Sequence, residues 1–168
     1  MTSVEIEKKF LLKAMPDKDP VEIIKIDQWY WRNKERGIWE RARSLESNIN
    51  GIKWIHTIKK NIGKGVNLEE ENPLTKEDFD IFVKKCYDIE SESKYISKER
   101  WIYPCDQNPD LYWEVDRFDS GNHIVIAEIE IPRKRYKVII PDYINDKLLM
   151  EVTGLKQFSN RNLSNKLK

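Results

Sequence analysis

Histidine and cysteine are scarce in this chain of 168 residues, which holds only His56, His123, Cys86 and Cys105. The two cysteines lie far apart with no ligand spacing around them. That excludes a Cys/His zinc centre and a disulfide-stapled scaffold, and makes a reducing cytoplasm the expected compartment. No apolar run approaches the length of a bilayer span, so no membrane segment is expected. The chain reaches Glu5, Glu7 and Lys8 before any apolar core, which argues against a signal peptide. An excess of one charge is also missing: 30 Lys and Arg face 29 Asp and Glu, a net +1, and that balance argues against a nucleic-acid partner. Nor is there a Walker loop, because Gly63-Lys64-Gly65 lacks the required pattern.

What the chain does carry is charge. Charged residues make up 35% and hydrophobic ones 39%, while aromatics at 11% supply core material for one domain spanning residues 1–168. Alternation and β-branched or aromatic content predict strands over 4–12, 23–31, 38–45, 53–60 and 66–71, with Asn72-Pro73 ending the fifth. Five strands in a row suggest an antiparallel meander. Thr75 then caps a helix over 76–87, on which Phe79, Phe82, Val83 and Cys86 recur at helical spacing. Three more strands follow over 95–103, 111–118 and 124–131, and short helical turns are expected over 142–150 and 160–166. The fold class is α+β with about eight strands.

The charges fall in a pattern. Residues two apart on a strand share a face. Glu5, Glu7 and Lys9 therefore point one way, and Arg41 with Arg43, Glu69 with Glu71, Lys98 with Arg100, Glu114 with Asp116, and Glu128 with Glu130 repeat the spacing. Thr57 and Lys59 share a face on the fourth strand. Like charges on one face repel unless opposite charge sits between them. The pairs make sense together if the sheet curls so that all face one cavity, with metal against the acids and an anion against the bases. Carboxylates without histidine suit Mg²⁺ or Mn²⁺, and Arg and Lys suit phosphoryl oxygens. The tryptophans, Trp39 among them, are expected between sheet and helices, His56 and His123 at turns or the surface, and residues 59–64 at a solvated hairpin tip.

Glu5-Ile6-Glu7-Lys8-Lys9 resembles the ExExK signature of the CYTH superfamily, the triphosphate tunnel metalloenzymes. The likeness continues through Glu40-Arg41-Ala42-Arg43, Thr57-Ile58-Lys59, Glu69 to Glu71, Lys98-Glu99-Arg100, Glu114-Val115-Asp116 and Glu128-Ile129-Glu130. It ends in Glu151-Val152-Thr153 with Lys156, Phe158 and Asn160. The resemblance implies a closed eight-stranded antiparallel β-barrel with peripheral helices, binding a triphosphate and a divalent metal. Carried over by position, Glu5, Glu7, Glu128 and Glu130 would hold metal and orient water, with Lys9 beside them. Lys9, Arg41, Arg43, Lys59, Lys98, Arg100 and Lys156 would hold phosphates, and Glu69, Glu71, Glu114 and Asp116 would complete the metal-binding acidic wall. One departure stands out: where many hydrolytic members carry Arg before the fifth-strand acids, this chain has Asn67. The implied reaction is hydrolysis of a small-molecule triphosphate, inorganic triphosphate first. A class IV adenylyl cyclase, a thiamine triphosphatase, an RNA 5′-triphosphatase and a non-catalytic polyphosphate or nucleotide binder are the alternatives. Monomer and homodimer stay open.

Overall fold

The first six strands are longer than the hydrophobic pattern alone suggests, and the last two are slightly shorter. In the computed structural model, which describes residues 2–119 and 123–167, they are β1 (Thr2–Leu12), β2 (Glu22–Asn33), β3 (Ile38–Ser47) and β4 (Gly51–Gly63). Then come β5 (Val66–Leu74), β6 (Ser93–Pro104), β7 (Tyr112–Phe118) and β8 (Val125–Glu130). Their spatial order is β6-β2-β3-β4-β5-β1-β8-β7, and β7 pairs back onto β6. The sheet is thus a closed eight-stranded antiparallel barrel. Closure leaves no barrel edge.

The first five strands do not form a meander in chain order. β2 to β5 do, but β1 pairs β5 on one side (Ile6 opposite Val66) and β8 on the other (Glu7 opposite Glu130). The segment 13–21 between β1 and β2 carries Pro16 and Pro20 and is too long for a tight hairpin, so it leads the chain away from β1. Pro73 does not end β5; it lies opposite Ile55 inside the strand. Pairing with β1 stops at Glu70, so β5 is locally an edge there and a missing N–H is tolerated.

Two layers cover the barrel's outside. Helix α1 (Lys76–Cys86) starts where Thr75 Oγ1 accepts from the Asp78 amide at 3.1 Å. It buries Phe79, Phe82 and Cys86 against Trp29, Trp31 and Trp54. His56 sits in this layer, not at a turn, with its Nε2 2.8 Å from Glu40 Oε1 and its ring against Phe82. On the opposite flank, Phe10, Leu12, Trp113 and Ile129 pack with the segment that leads through α2 (Asp142–Asn145). Cys86 and Cys105 are both free and buried.

The C-terminal region is less helical than its sequence suggests. After α2 the chain adds β9 (Leu148–Glu151), which pairs the far half of β1, where β5 has already turned away. A single 3-10 turn (Lys156–Phe158) and α3 (Asn160–Leu163) then cross one end of the barrel, and β10 (Asn165–Lys166) pairs β6. Open backbone on β1 and β6 recruits these strands. Phe158 and Leu163 pack on the inward-facing Ile96, Phe118 and Ile126, closing part of that end.

Candidate functional site

Alternation on the barrel strands puts the charged side chains inside. Register places Lys9 opposite Glu128, Glu114 opposite Glu128, Arg100 opposite Asp116, Arg41 opposite Thr57, and Lys59 opposite Glu69. Burying so many charges is costly unless opposites meet. Lys9 Nζ lies 3.6 Å from Glu7 and 3.9 Å from Glu128. Lys59 Nζ reaches Glu5 at 2.6 Å, Glu7 at 3.7 Å and Glu69 at 3.8 Å, so it belongs to the interior and not to a solvated hairpin tip. Arg43 pairs with Glu71 at 3.2 Å.

Among the described residues, Glu5, Glu7 and Glu128 each offer a carboxylate oxygen within 4.8 Å of the others. Burial, and then the charge of Glu128 beside it, push Glu7 up to about 9. Burial alone would raise Glu128 too, but the Lys9 ammonium and the hydrogen bond from Glu7 hold it well below the usual carboxylate range. The two act as a dyad in which Glu7 keeps the proton. Glu7 Oε2 is buried without a hydrogen-bond partner. An all-oxygen group of this kind fits a hard divalent cation, which would displace the shared proton. Glu130 lies opposite Glu7 in register; partial burial of its carboxyl, followed by Glu5, Glu69, Glu114 and Glu128, raises it to about 7.

Four further expected metal ligands, Glu69, Glu71, Glu114 and Asp116, are each paired with a cation. Asp116 is gripped by Lys98 at 2.7 Å and by Arg100 Nε at 2.7 Å, and Glu114 also pairs with Arg100. Glu69 and Glu71 answer Lys59 and Arg43. Lys98 and Arg100, expected on phosphates, are thus already engaged by carboxylates. Lys98 is 1% exposed and gives a further hydrogen bond to Asn160 Oδ1 at 3.1 Å. Arg41 is different: it is 8% exposed and has no ion pair among the described residues, and its Nε has no partner. Burial, then Arg41 and Arg100, lower Arg43 to about 10. The Arg41 guanidinium faces a cavity in which it can bind an anion.

That cavity has a volume of about 310 Å³. Glu7, Lys9, Arg41, Thr57 and Lys59 form its interior, and Asn67 lines it where the resemblance would put an arginine. Lys156 reaches it from the C-terminal segment, together with Asn160 and Arg161. Trp39 lines it as well, rather than filling the layer beneath a helix. Sequence reasoning passed over Trp39, although it lies two residues before Arg41 and so shares its face. Asn160 and Arg161 carry no such signal, since only the chain's crossing of the barrel end brings them in.

No family model and no curated protein matches the sequence. Solved structures do. The inorganic triphosphatase NE1496 superposes with a TM-score of 0.60 at 20% identity over 95% of this chain and 96% of that one. The PH1819 protein from Pyrococcus horikoshii OT3 gives 0.57 at 15% identity over 78% and 80%. HpAC1 from Hippeastrum, examined as an adenylyl cyclase and found to have a dominant triphosphatase activity, gives 0.53 at 14% over 77% and 80%. This chain therefore shares the closed antiparallel barrel fold of these proteins.

Proposed function

We propose that this protein hydrolyses a linear triphosphate, inorganic triphosphate to phosphate and diphosphate, with the help of Mg²⁺ or Mn²⁺. The observation that carries this reading is that Arg41, Lys9 and Lys59 face the same cavity as Glu7, whose carboxylate gathers with those of Glu5 and Glu128. An anion and a cation thereby have adjoining places. NE1496, which has this fold, is an inorganic triphosphatase, and that supports the assignment.

In this reading Glu5, Glu7 and Glu128 hold the cation, with Glu130 close by, and Glu7 gives up its proton as they do so. The bound cation supplies charge neutralisation and polarises a phosphoryl oxygen. Arg41 and Arg43 take the phosphoryl oxygens in bidentate fashion, while Lys9 and Lys59 spread positive charge along the chain. Lys98 and Arg100 contribute through the far wall once their carboxylates yield, and Lys156 closes from the C-terminal segment. Glu130, near 7, has the proton affinity to accept a proton from the attacking water. A single soluble cytoplasmic domain is the form proposed.

Adenylyl cyclase activity is the second reading, favoured by Trp39 as an aromatic face where a base would sit. Incubation with Mg²⁺ or Mn²⁺ and, separately, inorganic triphosphate, ATP, thiamine triphosphate and triphosphorylated RNA separates the readings. Phosphate and diphosphate from inorganic triphosphate support hydrolysis, cyclic AMP from ATP replaces it with cyclisation, and tight binding without turnover makes the protein a polyphosphate binder.

A further inference from the structure

We infer that the barrel is loaded from both ends: triphosphate enters past the C-terminal segment, and the divalent cation enters separately through the opposite, acidic mouth. The inference rests on the proposed reading for the identity of the two ligands and adds their routes. Strand direction decides which side chains stand at which end. β1 runs from Glu5 through Glu7 and Lys9 to Leu11, and Leu11 shares a cluster with Phe158 and Leu163 of the C-terminal segment. Glu5 therefore lies toward the other end. On β5, Glu69 and Glu71 follow Asn67, which lines the cavity, so they run away from it. On β7, Glu114 precedes Asp116 and Phe118, and Phe118 belongs to the same cluster as Leu11. After burial, Glu5, Glu69, Glu114 and Glu128 are the charges that raise the Glu130 carboxyl, so these acids gather at one mouth.

The two ends differ in charge and in access. Among the described residues, Glu7 is the one inward carboxylate lining the cavity, with Lys9, Arg41 and Lys59 around it and Lys156 and Arg161 at its entrance. Arg32 and Lys94 add to that end beside Trp39. A dication arriving there would meet cations at every stage, whereas an anion would be drawn inward. At the other end exposure rises outward: the Glu7 side chain is 7% exposed, that of Glu114 33% and that of Glu71 40%. Glu130 reaches solvent and has no ion pair among the described residues. Arg43 and Arg100, the cations nearest this mouth, are each held by a carboxylate. The acids thus lead from solvent to Glu7 Oε2, which is buried without a hydrogen-bond partner.

Separate routes leave the order of addition free. A triphosphate seated in the cavity closes the basic entrance, yet Glu7 and Glu128 stay reachable from the Glu130 side. With a single shared entrance, the seated anion would shut the cation out.

The test is stopped-flow mixing of the metal-free, full-length protein with Mn²⁺, free Mn²⁺ being followed with a fluorescent chelator. It is run with the cavity empty and with an equimolar, non-hydrolysable imido analogue of triphosphate already bound. Mn²⁺ association is expected to be at least as fast with the analogue seated; slowing by about tenfold or more would overturn the inference. Association of the analogue alone is followed by tryptophan fluorescence. The salt is about 0.15 M, where exposed charges more than roughly 8 Å apart are largely screened. Glu71→Gln and Glu130→Gln should each slow Mn²⁺ association about three- to fivefold without slowing the analogue. Lys156→Gln and Arg161→Gln should slow the analogue by a like factor and leave Mn²⁺ association unchanged. Faster Mn²⁺ entry in these last two variants, or acid variants that alter only Mn²⁺ release, would also overturn it. Melting curves verify folding, and Glu130→Gln carries the comparison alone should Glu71→Gln fail to fold. Absence of Mn²⁺ binding would remove the cation reading together with the inference, whereas absent hydrolysis with these rates intact would remove the reaction alone.

Discussion

Lys98 Nζ lies 2.7 Å from Asp116 Oδ2 with both side chains almost wholly out of solvent. This pair joins β6 to β7, the pairing that closes the barrel. Burial alone would raise Asp116, but the Arg100 and Lys98 charges hold it at about 2. Asp116→Asn leaves buried Lys98 without a carboxylate among the described residues and Arg100 with Glu114 alone, and is expected to cost about 3–5 kcal/mol. Urea unfolding measures it, and a loss below about 1 kcal/mol would show the pair to be expendable. Because the folded value lies below the usual 3.8, the stabilisation is present above that pH and is lost as pH falls toward about 2.

Glu7 behaves oppositely. Its folded value near 9 exceeds the usual 4.5, so its contribution is present below 4.5 and is lost as pH rises toward 9, with Glu130 adding a loss between 4.5 and about 7. Metal-free protein is therefore expected to melt several degrees lower at pH 9 than at pH 5, a trend that Glu7→Gln flattens. Mg²⁺ or Mn²⁺ should raise the melting temperature more at high pH than at low pH, since the ligands must shed protons. A cation effect independent of pH would remove Glu7 from the ligand set.

Among the described residues Arg41 pairs with no carboxylate that it would have to release before taking a phosphate. Arg41→Ala is expected to lower kcat/KM on triphosphate by roughly 10²–10³. Stability should stay within about 1 kcal/mol of wild type, because the lost guanidinium had no ion pair. Steady-state kinetics beside thermal melts provide the comparison; retained activity would place the phosphates elsewhere.

Gly65 turns the β4–β5 hairpin at φ +67°, and a Cβ there would meet the Glu7 carbonyl oxygen at 2.5 Å and Thr153 Cγ2 at 2.7 Å. The same glycine carbonyl accepts from the Glu7 amide at 2.8 Å. Gly65→Ala combines left-handed strain with displacement of β1, so a stability loss of about 2 kcal/mol or more is expected, along with weaker cation binding. Equal melting temperatures for variant and wild type would contradict this.

Much of the barrel was legible in the sequence because the strand repeat of two is a local backbone property. Val4 and Phe10 had to face away from Glu5 and Glu7 whatever the partners were, and the paired charges on the later strands followed the same rule. The inward set of acids and bases, and the helix carrying Phe79 and Phe82, could be read without coordinates. Which strand lies beside which could not, because antiparallel pairing joins segments distant in sequence, as with β1 between β5 and β8. That arrangement alone decides that Lys98 and Arg100 meet Asp116 while Arg41 is left free. It alone gathers Glu5, Glu7 and Glu128, and carries Arg161 across the barrel end to Trp39. Coulomb energies depend on distance through space, and that distance is set only when the sheet closes.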